Sequence, residues 1–137
     1  MKTEILTIRT SAHTQLLPIT DEVEKSVQKS GVRNGICTIF VPHTTAGVTI
    51  NENADPDVVR DFIKEINKIV PWEDGYAHYE GNSAAHLKSS MIGPSLTVII
   101  ENGRLLLGTW QGIYFTEFDG PRTRKVYVKI MEDQAES

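Results

Sequence analysis

Three stretches of this chain concentrate side chains that could do chemistry. Residues 41–55 read Val-Pro-His-Thr-Thr-Ala-Gly-Val-Thr-Ile-Asn-Glu-Asn-Ala-Asp. Residues 78–90 read His-Tyr-Glu-Gly-Asn-Ser-Ala-Ala-His-Leu-Lys-Ser-Ser, and residues 108–117 read Gly-Thr-Trp-Gln-Gly-Ile-Tyr-Phe-Thr-Glu. Three of the four histidines, His43, His78 and His86, fall in the first two stretches. Three imidazoles around one open position would make a catalytic zinc-type site. Their spacing matches no compact local metal motif, so spacing alone favours separate core or surface histidines. Glu52, Asp55, Glu80 and Glu117 are candidates for acid–base work or for orienting ligand histidines. Asp55 is also an N-cap by position. Glu117 shares a strand face with Ile113 and Phe115, and an acid on a buried face needs a partner. Ser89 and Ser90 lie near His86 on a helix. They are either nucleophiles or ordinary helix-face serines, since no G-x-S-x-G elbow occurs. Trp110 can stack on a planar ligand or pack in the core. Gly108 and Gly112 permit close approach of a ligand or another backbone.

The elements that must position these groups follow from periodicity. Residues 3–10 and 15–17 read as strands, with Leu6 and Ile8 on one face and Ile5 on the other. Asp21–Ser30 reads as a helix capped by Asp21 and Glu24 and closed by Gly31, lying on the surface of a sheet through a thin apolar stripe of Val23 and Val27. Strands 35–41 and 47–51, joined by a short connection, are expected to pair side by side. Asp55-Pro56 starts a second helix. Its wide stripe of Val58, Val59, Phe62, Ile63, Ile66, Ile69 and Val70 marks it as the main core-packing helix. A short helix over 84–91 ends at Gly93-Pro94. Asn102-Gly103 makes a hairpin of 96–101 and 104–108. Strand 109–118 and strand 124–131, with Val126, Val128 and Ile130 inward, complete about seven strands and two or three helices. Residues 132–137 read as a disordered tail. The fold class is α+β: one largely antiparallel or mixed sheet with helices on one face.

Composition narrows the function classes. The chain has 137 residues, which sets the expectation of a single domain over 1–137. A net charge of −4 and a pI near 5.5 argue against nucleic acid as a partner. No apolar run is long enough to span a bilayer, so no membrane partner is expected. The N-terminal stretch has no apolar core of a signal peptide, and one cysteine, Cys37, makes no disulfide within the chain. The expected location is cytoplasmic. Cys37 reads as a small core residue, not a nucleophile.

The three motif stretches, with Gly-Thr-Trp-Gln at 108–111 and His-Leu-Lys-Ser-Ser at 86–90 as the most specific parts, resemble the YjbQ family across nearly the whole chain. Members of that family are identified as secondary thiamine-phosphate synthases. The resemblance implies an α+β fold, a homotrimer and a polar pocket for a small-molecule substrate. It implies that His43, His78 and His86 are a metal-binding set, with a divalent metal such as zinc as cofactor. It implies His43 with Glu52 or Glu117 as catalytic groups. Thr44, Asn51, Asn53, Glu80, Lys88, Ser89, Ser90, Trp110 and Gln111 are then the substrate-binding residues. Only Tyr79 separates His78 from Glu80, a shorter stretch than the resemblance leads one to expect. In the implied reaction a thiazole phosphate nitrogen attacks hydroxymethylpyrimidine diphosphate and pyrophosphate leaves. A cation must neutralise the leaving group, and Lys88 and Arg104 are the cations on offer. A metal-assisted hydrolase and a non-catalytic trimeric binding protein are the alternatives.

Overall fold

The computed structural model describes residues 3–134. The elements in chain order are β1 (Glu4–Arg9), β2 (Gln15–Pro18), α1 (Thr20–Ser30), β3 (Gly35–Phe40), β4 (Ala46–Glu52), α2 (Pro56–Ile69), α3 (Ser83–Ile92), β5 (Ser95–Glu101), β6 (Arg104–Leu105), β7 (Gln111–Glu117) and β8 (Thr123–Glu132). All strand pairings are antiparallel. The fold is α+β, as expected, but the strands form two sheets rather than one. A five-stranded sheet runs β1-β8-β3-β5-β6 and a three-stranded sheet runs β2-β7-β4.

The expected pairing of strands 35–41 and 47–51 is therefore wrong. β3 lies between β5 and β8, whereas β4 pairs with β7 in the other sheet. Pro42 explains the parting. It has no N–H for a ladder, so the chain leaves the first sheet there and starts again in the second.

The main core lies between the sheets. Cys37, Ile39, Val98, Ile100, Val126, Val128 and Ile130 from the larger sheet meet Val48, Ile113 and Phe115 from the smaller. α1 completes this core through Val23 and Val27, both fully buried. The thin apolar stripe of α1 is thus the central one. α2 is not the main core helix: only Ile66 along it is buried, and Ile69 is 65% exposed. It docks on a small cluster of Phe62, Ile66, Trp72, Ala85, Ile92 and Phe118. Periodicity reveals which face of a helix is apolar, not how much partner surface the fold supplies.

Local signals hold where they are short-range. The Asp55 carboxylate accepts the Asp57 N–H at 2.9 Å, Gly31 closes α1 in the left-handed conformation, and Asn102 and Gly103 turn with positive φ. Asp21 does not cap α1, which begins after Ile19 with no side-chain cap. Glu132 belongs to β8 and the Asp133 N–H bonds the Asn34 carbonyl, so order extends past residue 131. The rest of the expected tail, 135–137, lies outside the described residues. Among the described residues no helix is long and apolar enough to cross a membrane.

Candidate functional site

The predicted site residues fall into five places. The first is a buried ion pair. Glu117, fully buried at the end of β7, takes Arg124 Nε at 2.8 Å and Arg124 Nη2 on its other oxygen. Thr10 Oγ1 donates to the same carboxylate at 2.8 Å and the Asp119 N–H at 3.1 Å. Burial alone would raise the Glu117 pKa. The Arg124 hydrogen bonds, helped by Asp119 N–H and Thr10, override it and hold the carboxyl below its ordinary range. Arg124 Nη2 also reaches Thr45 Oγ1 at 2.9 Å. The Glu117 oxygens are occupied by these donors and closed to solvent, so the geometry suits an anchor joining the sheets. It does not suit an acid or base, and this corrects the expected catalytic role. Thr10, Thr45 and Arg124 were not among the expected site residues. Arg124 carries a legible signal: it shares inward parity with Val126, Val128 and Ile130, as Glu117 does with Ile113 and Phe115. Two opposite charges at inward positions ask for each other.

His43 stands beside this pair. Its Nε2 accepts the Lys125 N–H at 2.9 Å. In the β3–β8 register Phe40 pairs with Tyr127 and β3 then ends, so the imidazole satisfies a β8 donor that β3 no longer reaches. Burial first, and the Arg124 charge second, lower the His43 pKa. The ring is therefore neutral at pH 7 with its proton on Nδ1, leaving neither nitrogen free for a metal in this arrangement. Thr44 next to it is exposed.

The third place holds the other two histidines. His78 and His86 pack edge to face with ring centroids 5.4 Å apart, and Glu80 Oε2 lies 3.9 Å from His78 Nε2. α3 supplies His86 and the irregular segment after α2 supplies His78. Together with Tyr76, Ala77, Ser83 and Leu87 they line an open cavity of about 430 Å³. The chain thus unites two of the three histidines and engages the third elsewhere. Among the described residues no three His, Cys, Asp or Glu side chains are placed to hold one metal ion. The three-histidine set does not fit a metal within one chain.

The fourth place is the shared end of β4 and β7. Asn51 pairs with Gly112 and Glu52 with Gln111, and the Asn53 N–H bonds the Trp110 carbonyl at 3.0 Å. Gly112 is required here: a Cβ would fall 2.4 Å from Asn53 Nδ2. Gln111 Oε1 accepts the Gly108 N–H at 2.8 Å and so closes its own turn. Asn51 Oδ1 likewise accepts the Glu52 N–H at 2.8 Å. Trp110 is 63% exposed, which leaves its ring available as a stacking surface.

The remaining residues lie on α3. Ser89 is buried and donates to the Ala46 carbonyl at 2.8 Å, tying α3 to β4, and Ser90 donates to the His86 carbonyl at 3.0 Å. Both hydroxyls are thereby turned to backbone, as the helix-face reading has it. Lys88 is 1% exposed, with its ammonium on Asn67 Oδ1 at 2.6 Å. Cys37 is buried, and burial first and Glu24 second push its thiol up to about 12, which leaves it unreactive.

Two antiparallel sheets with a shared core, three helices and an open pocket walled by two histidines define a small α+β protein. Residues 4–133 match the family model described as UPF0047 protein YjbQ-like, and the chain belongs to that family. It is 56% identical over 127 residues to the UPF0047 protein YugU of Bacillus subtilis, covering 92% of this chain and 96% of that protein. It is 52% identical over 127 residues to the UPF0047 protein MJ1081 of Methanocaldococcus jannaschii, covering 93% and 92%. A solved structure of a yjbq/upf0047 family protein from Clostridium acetobutylicum superposes with a TM-score of 0.92 at 57% identity, over 93% of this chain and 99% of that one. A hypothetical protein from Aeropyrum pernix K1 does so with a TM-score of 0.92 at 37% identity, over 97% and 100%.

Proposed function

We propose that this protein is a cytoplasmic small-molecule transferase of the secondary thiamine-phosphate-synthase type, with the His78–His86 cavity as its reactive pocket. The observation that carries this is the imidazole pair itself. Two histidines held ring against ring on the wall of a 430 Å³ cavity, with the Glu80 carboxylate beside one of them, are placed to donate hydrogen bonds to a group in that cavity. In the reaction a thiazole nitrogen attacks the pyrimidine methylene carbon, the C–O bond to the diphosphate breaks, and pyrophosphate departs with the electron pair. Histidine N–H groups aimed at the departing oxygens stabilise the charge that develops there. Apart from this cavity, the exposed Trp110 indole at the end of β4 and β7 offers a stacking surface for a planar ring.

A divalent metal, for which zinc is the natural match to imidazole, would find two ligands in His78 and His86 and would need a further donor from outside this chain. The outer face of the larger sheet supports a homotrimer. Ile99, Ile36 and Met131 form one exposed apolar row across it, and Ile5 and Phe40 flank the half-buried Tyr127 in another.

The test compares wild type, His78→Ala/His86→Ala and His43→Gln for synthase turnover and for metal content after purification. The expected result is loss of turnover of at least about a hundredfold in the double variant, with metal content, where present, falling only there. Unchanged turnover in the double variant would overturn the assignment of the pocket.

A further inference from the structure

α3 presents Lys88 about 200° around the helix axis from His86, since the two are two positions apart. The lysine therefore enters a different cavity, of about 380 Å³, lined by His13, Thr14, Asn67, Trp72 and Lys88. The long side chain of Lys88 is almost wholly enclosed, at 1% exposure. Lysine is seldom buried to this degree without a carboxylate partner, because an ammonium taken out of water must be compensated. Its one hydrogen bond in the structure goes to a neutral amide, Asn67 Oδ1, at 2.6 Å. Among the described residues it forms no ion pair within 4.0 Å. Two of its three N–H donors are thus unclaimed by the described residues.

The neighbours are donors as well. Asn67 spends its oxygen on Lys88 and keeps its Nδ2 hydrogens to give. Thr14 carries a hydroxyl, which lies 3.5 Å from His13 Nδ1. Asp119, beside His13, is 3.7 Å from His13 Nε2 and already holds Arg122 Nη2 at 3.0 Å and Asn82 Nδ2 at 3.1 Å. His13 stands edge-on to Trp72 at 4.5 Å, which gives the cavity an aromatic wall.

We infer that this cavity is an anion subsite, separate from the His78–His86 pocket, that takes the phosphate or carboxylate end of a small molecule. The oxyanion sits on Lys88 Nζ, with Asn67 Nδ2 and the Thr14 hydroxyl as further donors, and the body of the ligand lies against Trp72 and His13. A charge-assisted bond to an enclosed ammonium is the strongest element of such a site.

Isothermal titration of the full-length chain with inorganic phosphate, pyrophosphate and acetate, in low-salt buffer free of other anions, tests it. Saturable binding of one of the three is expected, weakened at least about tenfold by Lys88→Met and several-fold by Asn67→Ala. Phosphate or pyrophosphate binding without acetate binding assigns the subsite to phosphoryl groups, and the reverse assigns it to carboxylates. Affinity for phosphate or acetate should be unchanged in His78→Ala/His86→Ala, whereas pyrophosphate, as the proposed leaving group, also reports on that pocket; the first two probes therefore let this inference and the proposed reactive pocket stand or fall apart. No binding at millimolar concentration, or equal affinity in wild type and Lys88→Met, would overturn it. Should Lys88→Met not fold, Asn67→Ala and His13→Ala, both at exposed positions, decide the matter: equal affinity in both overturns the inference.

Discussion

At the scale of single residues, Glu117 and Arg124 show how a buried charge is tolerated. Each would be untenable alone in the core between the sheets, and together with Thr10 and Thr45 they satisfy one another. Glu117→Gln keeps the shape but leaves the Arg124 guanidinium, itself 4% exposed, without its counter-charge. The expected loss is about 3–5 kcal/mol of stability by urea unfolding, because removing one partner strands the other. Replacing both with apolar residues of similar volume should cost much less; equal losses in the single and double variants would show that the pairing is not the source. His43 adds a pH dependence. Its pKa is lowered in the fold from an ordinary 6.5, so the unfolded chain binds more protons. Stability from this group is complete above about pH 6.5 and is lost as pH falls below it. The charged groups it faces are Arg124, Glu117 and Arg122. Glu117, also lowered, keeps its contribution above its ordinary 4.5 and loses it as pH falls further, through its folded pKa. Unfolding midpoints followed from pH 8 to 5 should decline in wild type and flatten in His43→Gln.

Elements place these residues, and one glycine shows how tightly. Asn53 leans over Gly112 at the common end of β4 and β7, with its N–H fixed to Trp110. Gly112→Ala puts a methyl group into the Asn53 amide and must displace it. A loss of about 1–3 kcal/mol is expected, together with shifted amide resonances for Asn53 and Trp110. Unperturbed resonances would mean that the strand end yields more easily than the geometry implies. The start of α1 teaches a related point. Thr20 Oγ1 accepts the Ile113 N–H at 2.9 Å and Glu24 Oε1 the Leu105 N–H at 2.8 Å. Glu24 reads from sequence as a helix-start signal, and Thr20 immediately precedes the expected cap. The fold uses them as ties to β7 and β6, partners more than eighty residues away.

For the whole molecule, the unfinished surface is the outer face of the five-stranded sheet. Ile5, Ile99 and Met131 are each more than half exposed, and Phe40 stacks on Tyr127 beside them. Contiguous apolar patches of this kind mark interaction surfaces. Sedimentation equilibrium should give three times the 15.3 kDa chain mass for wild type and the single-chain mass for Ile36→Lys/Ile99→Lys. A 15.3 kDa species in wild type would sink the trimer.

Sequence by itself determined what depends on neighbours along the chain. The Asp55 cap, the Gly31 stop, the Asn102-Gly103 turn and the alternation that turns Val126, Val128 and Ile130 inward all follow from contacts a few residues apart. The motif stretches were equally legible, and with them the family. Only the tertiary structure decided which sheet each strand joins, since after Pro42 the chain is free to pair with any open edge. It also decided that His43 satisfies a strand donor while His78 and His86 share a cavity, and that Lys88 enters another. These are relations between segments remote in sequence, fixed by register and packing, and no periodicity along the chain encodes them.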